Sequence, residues 1–283
     1  MNIAIQTLSP AAAWTGSQRG RATPDNSVRS TPVAVTSAML ALLLPTVLAS
    51  GMDERTLNGA NLWLKPIHFE FALAINFATL ALLLPMLSPA WQTSRALRWS
   101  LQAAGFSALL EIFWILSEAA LGRASHFNVA TPLEVLLYPL AGIGSLLIVW
   151  SSGVFGYALW RSPLRPGANH LRRGAAIGLI LGSVVTVVVA GFMSAGHSHL
   201  VGGPQTDAFG LPFLGWATRG GDLRVPHFFA THAIQALPIA GLLADRLIGT
   251  RATWLMPMVA TVYFSAVFGL FVQALMGIPL IRL

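Results

Sequence analysis

GAAIGLILGSVVTVVVAGFMSAG, residues 174–196, runs for 23 residues without a charge, a proline or an amide side chain. As an α-helix it extends roughly 35 Å at 1.5 Å per residue, enough to cross about 30 Å of hydrocarbon. A soluble core helix has no use for so long an unbroken apolar surface, and a barrel strand would alternate over about ten residues between turns. The stretch therefore reads as a transmembrane helix. Its Gly174, Gly178 and Gly182 recur every fourth residue on one face, where a neighbouring backbone can come close.

Outward from it lie six more runs of the same kind, at 33–50, 66–87, 97–121, 133–160, 226–247 and 252–280. The chain thus reads as all-α, a polytopic membrane helix bundle of seven spans filling residues 33–283. Composition agrees, with 55% hydrophobic and 10% charged residues against about 25% charged in soluble domains. Residues 1–32, rich in Ser, Thr, Gly, Pro and Arg, read as a flexible tail. The small residues Val47 to Gly51 resemble a signal-peptide cleavage site, but an uncleaved first span accounts better for the long preceding tail. No internal repeat is visible, which argues against an inverted-repeat transporter.

Lys and Arg set the expected orientation. Eleven of the 17 fall on the side of the tail, after the second, fourth and sixth spans, and six fall on the other. The N-terminus is therefore expected in the cytoplasm of a bacterial inner membrane, with the connections after spans one, three and five facing the periplasm. The basic residues form no stripe, so nucleic acid is not an expected partner; the bilayer is. The chain has no cysteine, which excludes disulfides, thiolate metal ligands and a cysteine nucleophile.

Six of the seven histidines fall at the outer ends of spans or in the outer connections, and only His170 falls on the other side. His68, His126, His199, His227 and His232 are candidate metal ligands or proton carriers. Glu118, Glu134 and Asp222 are their candidate catalytic partners, since a carboxylate within a span is costly unless it faces the bundle interior. Glu111 and Glu118, two turns apart on one face with Ser107 and Trp114, form a polar wall. Lys65, Arg123 and Arg224 are candidate cofactor-binding cations, and Lys65 also suits an interfacial anchor. His227 and His232 stand five apart, about 140° round the helix, which is not the i, i+4 spacing by which one helix offers two ligands.

The stretches WLKPIHF (63–69), SHFN (125–128) and GDLRVPHFFATHAIQ (221–235) resemble those of a group of uncharacterised bacterial multi-pass membrane proteins. The resemblance treats the outer connections as one unit and implies no reaction. Seven-span hydrolases related to alkaline ceramidase carry a His-x-x-x-His in the last span; the last span here has no histidine. The residues point to a His/carboxylate site at the outer face. It could belong to an enzyme that uses a divalent metal or haem b, with a lipophilic or quinone-like ligand. A proton-coupled transporter or channel, or a non-catalytic accessory subunit, remains the alternative.

Overall fold

The computed structural model describes residues 26–128, 131–163, 169–249 and 252–283. Seven of its helices are long and apolar enough to cross a membrane: α1 (Asn26–Met52), α2 (Leu64–Leu83), α4 (Arg95–Ala120), α5 (Pro132–Arg161), α6 (Asn169–Ala195), α7 (Arg224–Leu247) and α8 (Leu255–Leu275), with a short α3 (Pro89–Gln92) between α2 and α4. The protein is an all-α integral membrane bundle. Each helix overlaps one of the runs expected from hydropathy, and the last is shorter, Leu255–Leu275 against the expected 252–280. The first begins earlier, so residues 26–32 belong to α1 and not to the tail; residues 1–25 of that tail lie outside the described residues.

Polarity is inverted relative to a soluble protein. On α4, Glu111 is 3% exposed while Phe113, two residues on and facing outward, is 70% exposed. Only a hydrocarbon solvent makes that pattern favourable. The interior of α1, α2 and α4 is closed by Met39, Phe77, Leu80, Leu97 and Leu101, all fully buried.

α6 and α7 pack most tightly. A Cβ on Gly178 would sit 2.5 Å from Ala233 O, and one on Gly182 would sit 3.0 Å from Ala230 O. At Gly174 the approach to Leu237 O is closer still. The far ends of the pair are cross-tied. Asp245 of α7 accepts the first free amides of α6, His170 N at 3.0 Å and Leu171 N at 2.8 Å, as an anion at a helix N-terminus does. His170 Nε2 meets Gly249 O at 3.0 Å. Arg172 places its guanidinium on the last carbonyls of α5, those of Leu159 and Ser162.

At the other end, the connections α1–α2, α4–α5 and α6–α7 meet over the bundle. The first is a hairpin of β1 (Thr56–Leu57) and β2 (Ala60–Asn61), turned by Asn58 (φ 52°) and Gly59 (φ 86°), the Asn-Gly pair such turns require. The third carries β3 (Leu200–Val201) paired with β4 (Gly221–Asp222).

Candidate functional site

The α6–α7 connection is held as a cap by one carboxylate pair. Asp222, 2% exposed, accepts Ala217 N at 2.9 Å and Arg224 N at 2.9 Å. It also takes the Arg224 guanidinium edge-on, through Nε at 3.0 Å and an Nη at 2.7 Å. The same Arg224 nitrogen reaches Asp207 at 2.8 Å, and Asp207 in turn meets His199 Nε2 at 3.0 Å and accepts Asn58 Nδ2 at 3.0 Å. Asp207 therefore staples the hairpin of the first connection to the third.

Burial pushes the Asp207 carboxyl up, but His199, Arg224 and Asn58 outweigh it and hold the pKa at about 2. The native state thus prefers the ionised form more than the unfolded chain does, whose pKa is about 3.9. The resulting stability is complete above about pH 4 and is lost as pH falls through about 2. Loosening of the cap over that interval is expected in tryptophan fluorescence, because Trp216 is buried in the cap. Asp207→Asn should flatten the response, and an unchanged profile in that variant would remove Asp207 as its source.

Beneath the cap, the first turns of α2 present Lys65 and His68. Pro66 sits in this first turn, where its missing N–H costs nothing. His68 Nε2 lies 2.5 Å from Phe213 O, and Phe213 holds φ at 64° to present that carbonyl. Lys65 Nζ lies 2.9 Å from His126 Nδ1, and His126 Nε2 lies 3.3 Å from Glu111 Oε1. That last contact is a close approach without hydrogen-bond geometry, since Glu111 Oε1 makes no hydrogen bond among the described residues. Ser125 Oγ stands 3.2 Å from the same His126 Nδ1, and Phe69 and Tyr138 flank the ring. Glu111, Arg224 and Asp207 all act electrostatically on Lys65, so these groups and the cap share one field.

Burial first, then the Lys65 charge, lowers the His126 pKa, while Glu111 pulls the other way. With Lys65 donating to Nδ1, the neutral imidazole carries its proton on Nε2, facing Glu111.

The expected site residues therefore separate. Lys65, His126 and Glu111 come together, as do His199, Asp222 and Arg224 with Asp207. Glu134 closes a capping box with Thr131 at the start of α5 and accepts Asn128 Nδ2 at 2.8 Å, with Arg123 at 3.9 Å. The spacing Thr131-x-x-Glu134 announces that duty. Glu118 stays buried on α4 within reach of Glu134 and Arg123. His227 and His232 lie deeper on α7, and His170 stays at the far end. Among the described residues, no group of three or more His, Asp or Glu is placed to hold a metal ion. Of the five histidines expected as ligands, His68, His126, His199 and His232 face separate partners and the buried His227 Nδ1 has none among the described residues, so the donor set does not converge on a metal centre. Lys65, Arg123 and Arg224, expected around a cofactor, each already face a protein group.

Asp207, Asn58, Gln235 and Thr79 were not among the expected site residues. A lone Asp in a loop of glycine and proline was the signal for the first. Thr79 and Gln235 are signalled only as polar residues on the histidine faces of their spans, and Asn58 only as the first half of an Asn-Gly turn. A concavity of about 680 Å³ between Trp160, Ile177, Pro257 and Phe264 is mostly apolar and is lined by none of these groups.

No family model, curated protein or solved structure matches the chain.

Proposed function

We propose that this integral membrane protein moves protons at its histidine-rich end, through Lys65, His126 and Glu111, as the proton-handling part of a transporter or channel. The observation that carries this reading is the line of amine, imidazole and carboxylate at 2.9 and 3.3 Å, drawn from α2, the α4–α5 connection and α4. Chain segments this far apart do not align three titratable groups by local propensity. The Lys65 ammonium gives a proton to Nδ1 as the imidazole passes its Nε2–H to Glu111, which leaves a neutral amine and a carboxylic acid; solvent reprotonates Lys65, Glu111 releases its proton into the bundle, and ring reorientation restores the starting tautomer. Glu111 faces the interior beside Ser107, opposite Gly144, whose missing side chain leaves α5 close. By the excess of Lys and Arg on the opposite side, this end faces the periplasm.

The test is proton flux in proteoliposomes loaded with a pH-sensitive dye and driven by a potassium diffusion potential. Wild-type vesicles are expected to acidify or alkalinise well above empty ones. Glu111→Gln and His126→Ala should lose at least about tenfold of that flux, each an ordinary loss for a positioned acid or base. Retained thermal stability would show that the bundle persists. Wild-type flux at the level of empty vesicles, or flux unchanged in both variants, overturns the reading.

A further inference from the structure

α2 and α7 both start at the histidine-rich end and run the same way, yet they meet at few points. Their tie is Gln235 Nε2 donating to Thr79 Oγ1 at 3.0 Å. Above this tie the sparse contact between the two helices, with the incomplete burial of the residues on both, leaves a shallow groove. Its α2 wall is His68, Ala72 and Ile75, all partly exposed. Its α7 edge is Phe228 and His232.

On α7, Phe228, His232, Ile239 and Leu243 fall within about 60° of arc at 100° per residue. Phe228, Ile239 and Leu243 are all exposed, so this is the stripe that α7 turns to lipid. His232 lies in it, partly exposed, eight residues or roughly 12 Å below the start of the helix. An imidazole on a hydrocarbon-facing stripe at that depth is expensive without a partner.

The hydrogen bonds fix which nitrogen is available. Thr79 Oγ1 gives its proton to Ile75 O at 2.7 Å, so it accepts from the Gln235 amide. Gln235 Oε1 is then the atom 3.0 Å from His232 Nδ1, and it can only accept. His232 therefore carries its proton on Nδ1. Its Nε2 is a bare lone pair, with no partner among the described residues. The Phe228 ring, 4.3 Å away centroid to centroid, holds the imidazole against the groove. Orienting one ring nitrogen so that the other presents a lone pair is how a protein builds an acceptor or ligand. No metal-holding group surrounds it, which leaves a hydrogen-bond donor.

We propose that His232 accepts a hydrogen bond from the hydroxyl of a lipid-soluble alcohol or phenol that enters the α2–α7 groove sideways from the bilayer. Carbonyl, phosphate and carboxylate headgroups bring lone pairs of their own and do not complement Nε2. Their place is also higher, at the interface. The groove is open to lipid, its α2 wall includes the small Ala72, and Phe228 supplies a ring face for the ligand body. His68 stands at the groove mouth, about 12 Å above His232 when both helices are levelled on the Gln235–Thr79 tie. This inference does not rest on the proton relay.

The probe is decylhydroquinone, bound to the full-length detergent-purified protein and compared with its dimethyl ether, which has the same apolar body and no hydroxyl donor. Saturable hydroquinone binding at least about tenfold tighter than the ether is expected, the worth of one desolvated hydrogen bond. His232→Ala should lose that preference. Gln235→Leu should weaken it too, because the ring is then free to carry its proton on Nε2. Lys65→Met should leave it unchanged, which separates this site from the relay. Equal binding of hydroquinone and ether to the wild-type protein overturns the proposal even if His232→Ala does not fold. Unchanged preference in both variants also overturns it. So does a dimer that separates on His232→Ala, which would assign the face to packing between two copies.

Discussion

Replacing Gly174 by valine is expected to be among the most damaging single substitutions in the bundle, costing about 3 kcal/mol or more of stability. The position has no room. A Cβ there would press on the carbonyl group of Leu237 and on the Met256 methyl, and the backbone carbonyl cannot rotate away without breaking its own helical bond. Overpacking against a flexible side chain typically costs about 1–3 kcal/mol; overpacking against backbone has to move a helix. Parting α6 from α7 by even one carbon layer would also strain the contacts at Gly178 and Gly182, which follow on the same face. Resistance to unfolding in a graded mixture of mild and denaturing detergent measures the effect. Gly191→Val is the control, since nothing lies within 4 Å of a Cβ at Gly191. Equal midpoints for the two variants would mean that the glycine stripe does not hold the pair together.

The second large effect is expected at Arg224. Its removal strands Asp222, whose side chain is completely buried, and takes from Asp207 its nearest guanidinium. Breaking a buried pair by deleting one partner costs about 3–5 kcal/mol. The lower end applies here because Arg224 is 30% exposed and the Ala217 and Arg224 amides still hold Asp222. The loss is local to the cap. Arg224→Ala should therefore accelerate tryptic cleavage at Arg219 and amide exchange at Ala217 before it lowers the melting temperature of the helices. Arg224→Lys should recover only part, since an ammonium cannot reproduce the two-pronged contact with Asp222. Wild-type cleavage rates in Arg224→Ala would show that β3, β4 and the Asn58 contacts suffice to hold the cap.

The seven spans were legible because burial in lipid is a one-dimensional constraint: each helix must be apolar along its whole length, and GAAIGLILGSVVTVVVAGFMSAG satisfies it by itself. The start of α1 was not, because Ser27, Arg29 and Ser30 carry the composition of a tail although helix already runs through them. The glycine stripe was legible as close approach but not as to its partner, since the carbonyls of α7 lie about 55 residues away in the chain. How the polar side chains at the ends of the spans pair with one another was not legible. The pairing of Lys65 with His126 spans 61 residues and that of Asn58 with Asp207 spans 149; such pairs are set by how helices rotate against one another. A hydrophobic pattern leaves that rotation loose by tens of degrees, which suffices to take an imidazole from a shared centre to the lipid face.

The Asp245 carboxylate, which receives the first amides of α6, has a consequence for the birth of the protein. Those amides are made 75 residues before the group that satisfies them, a lag of roughly 4–15 s at ordinary rates of synthesis. During that interval the leading turn of α6 has to stay in water or among headgroups, where solvent can bond it. The start of α6 is therefore held by solvent until α7 has been threaded back beside it, and the tie closes only once both helices are in place.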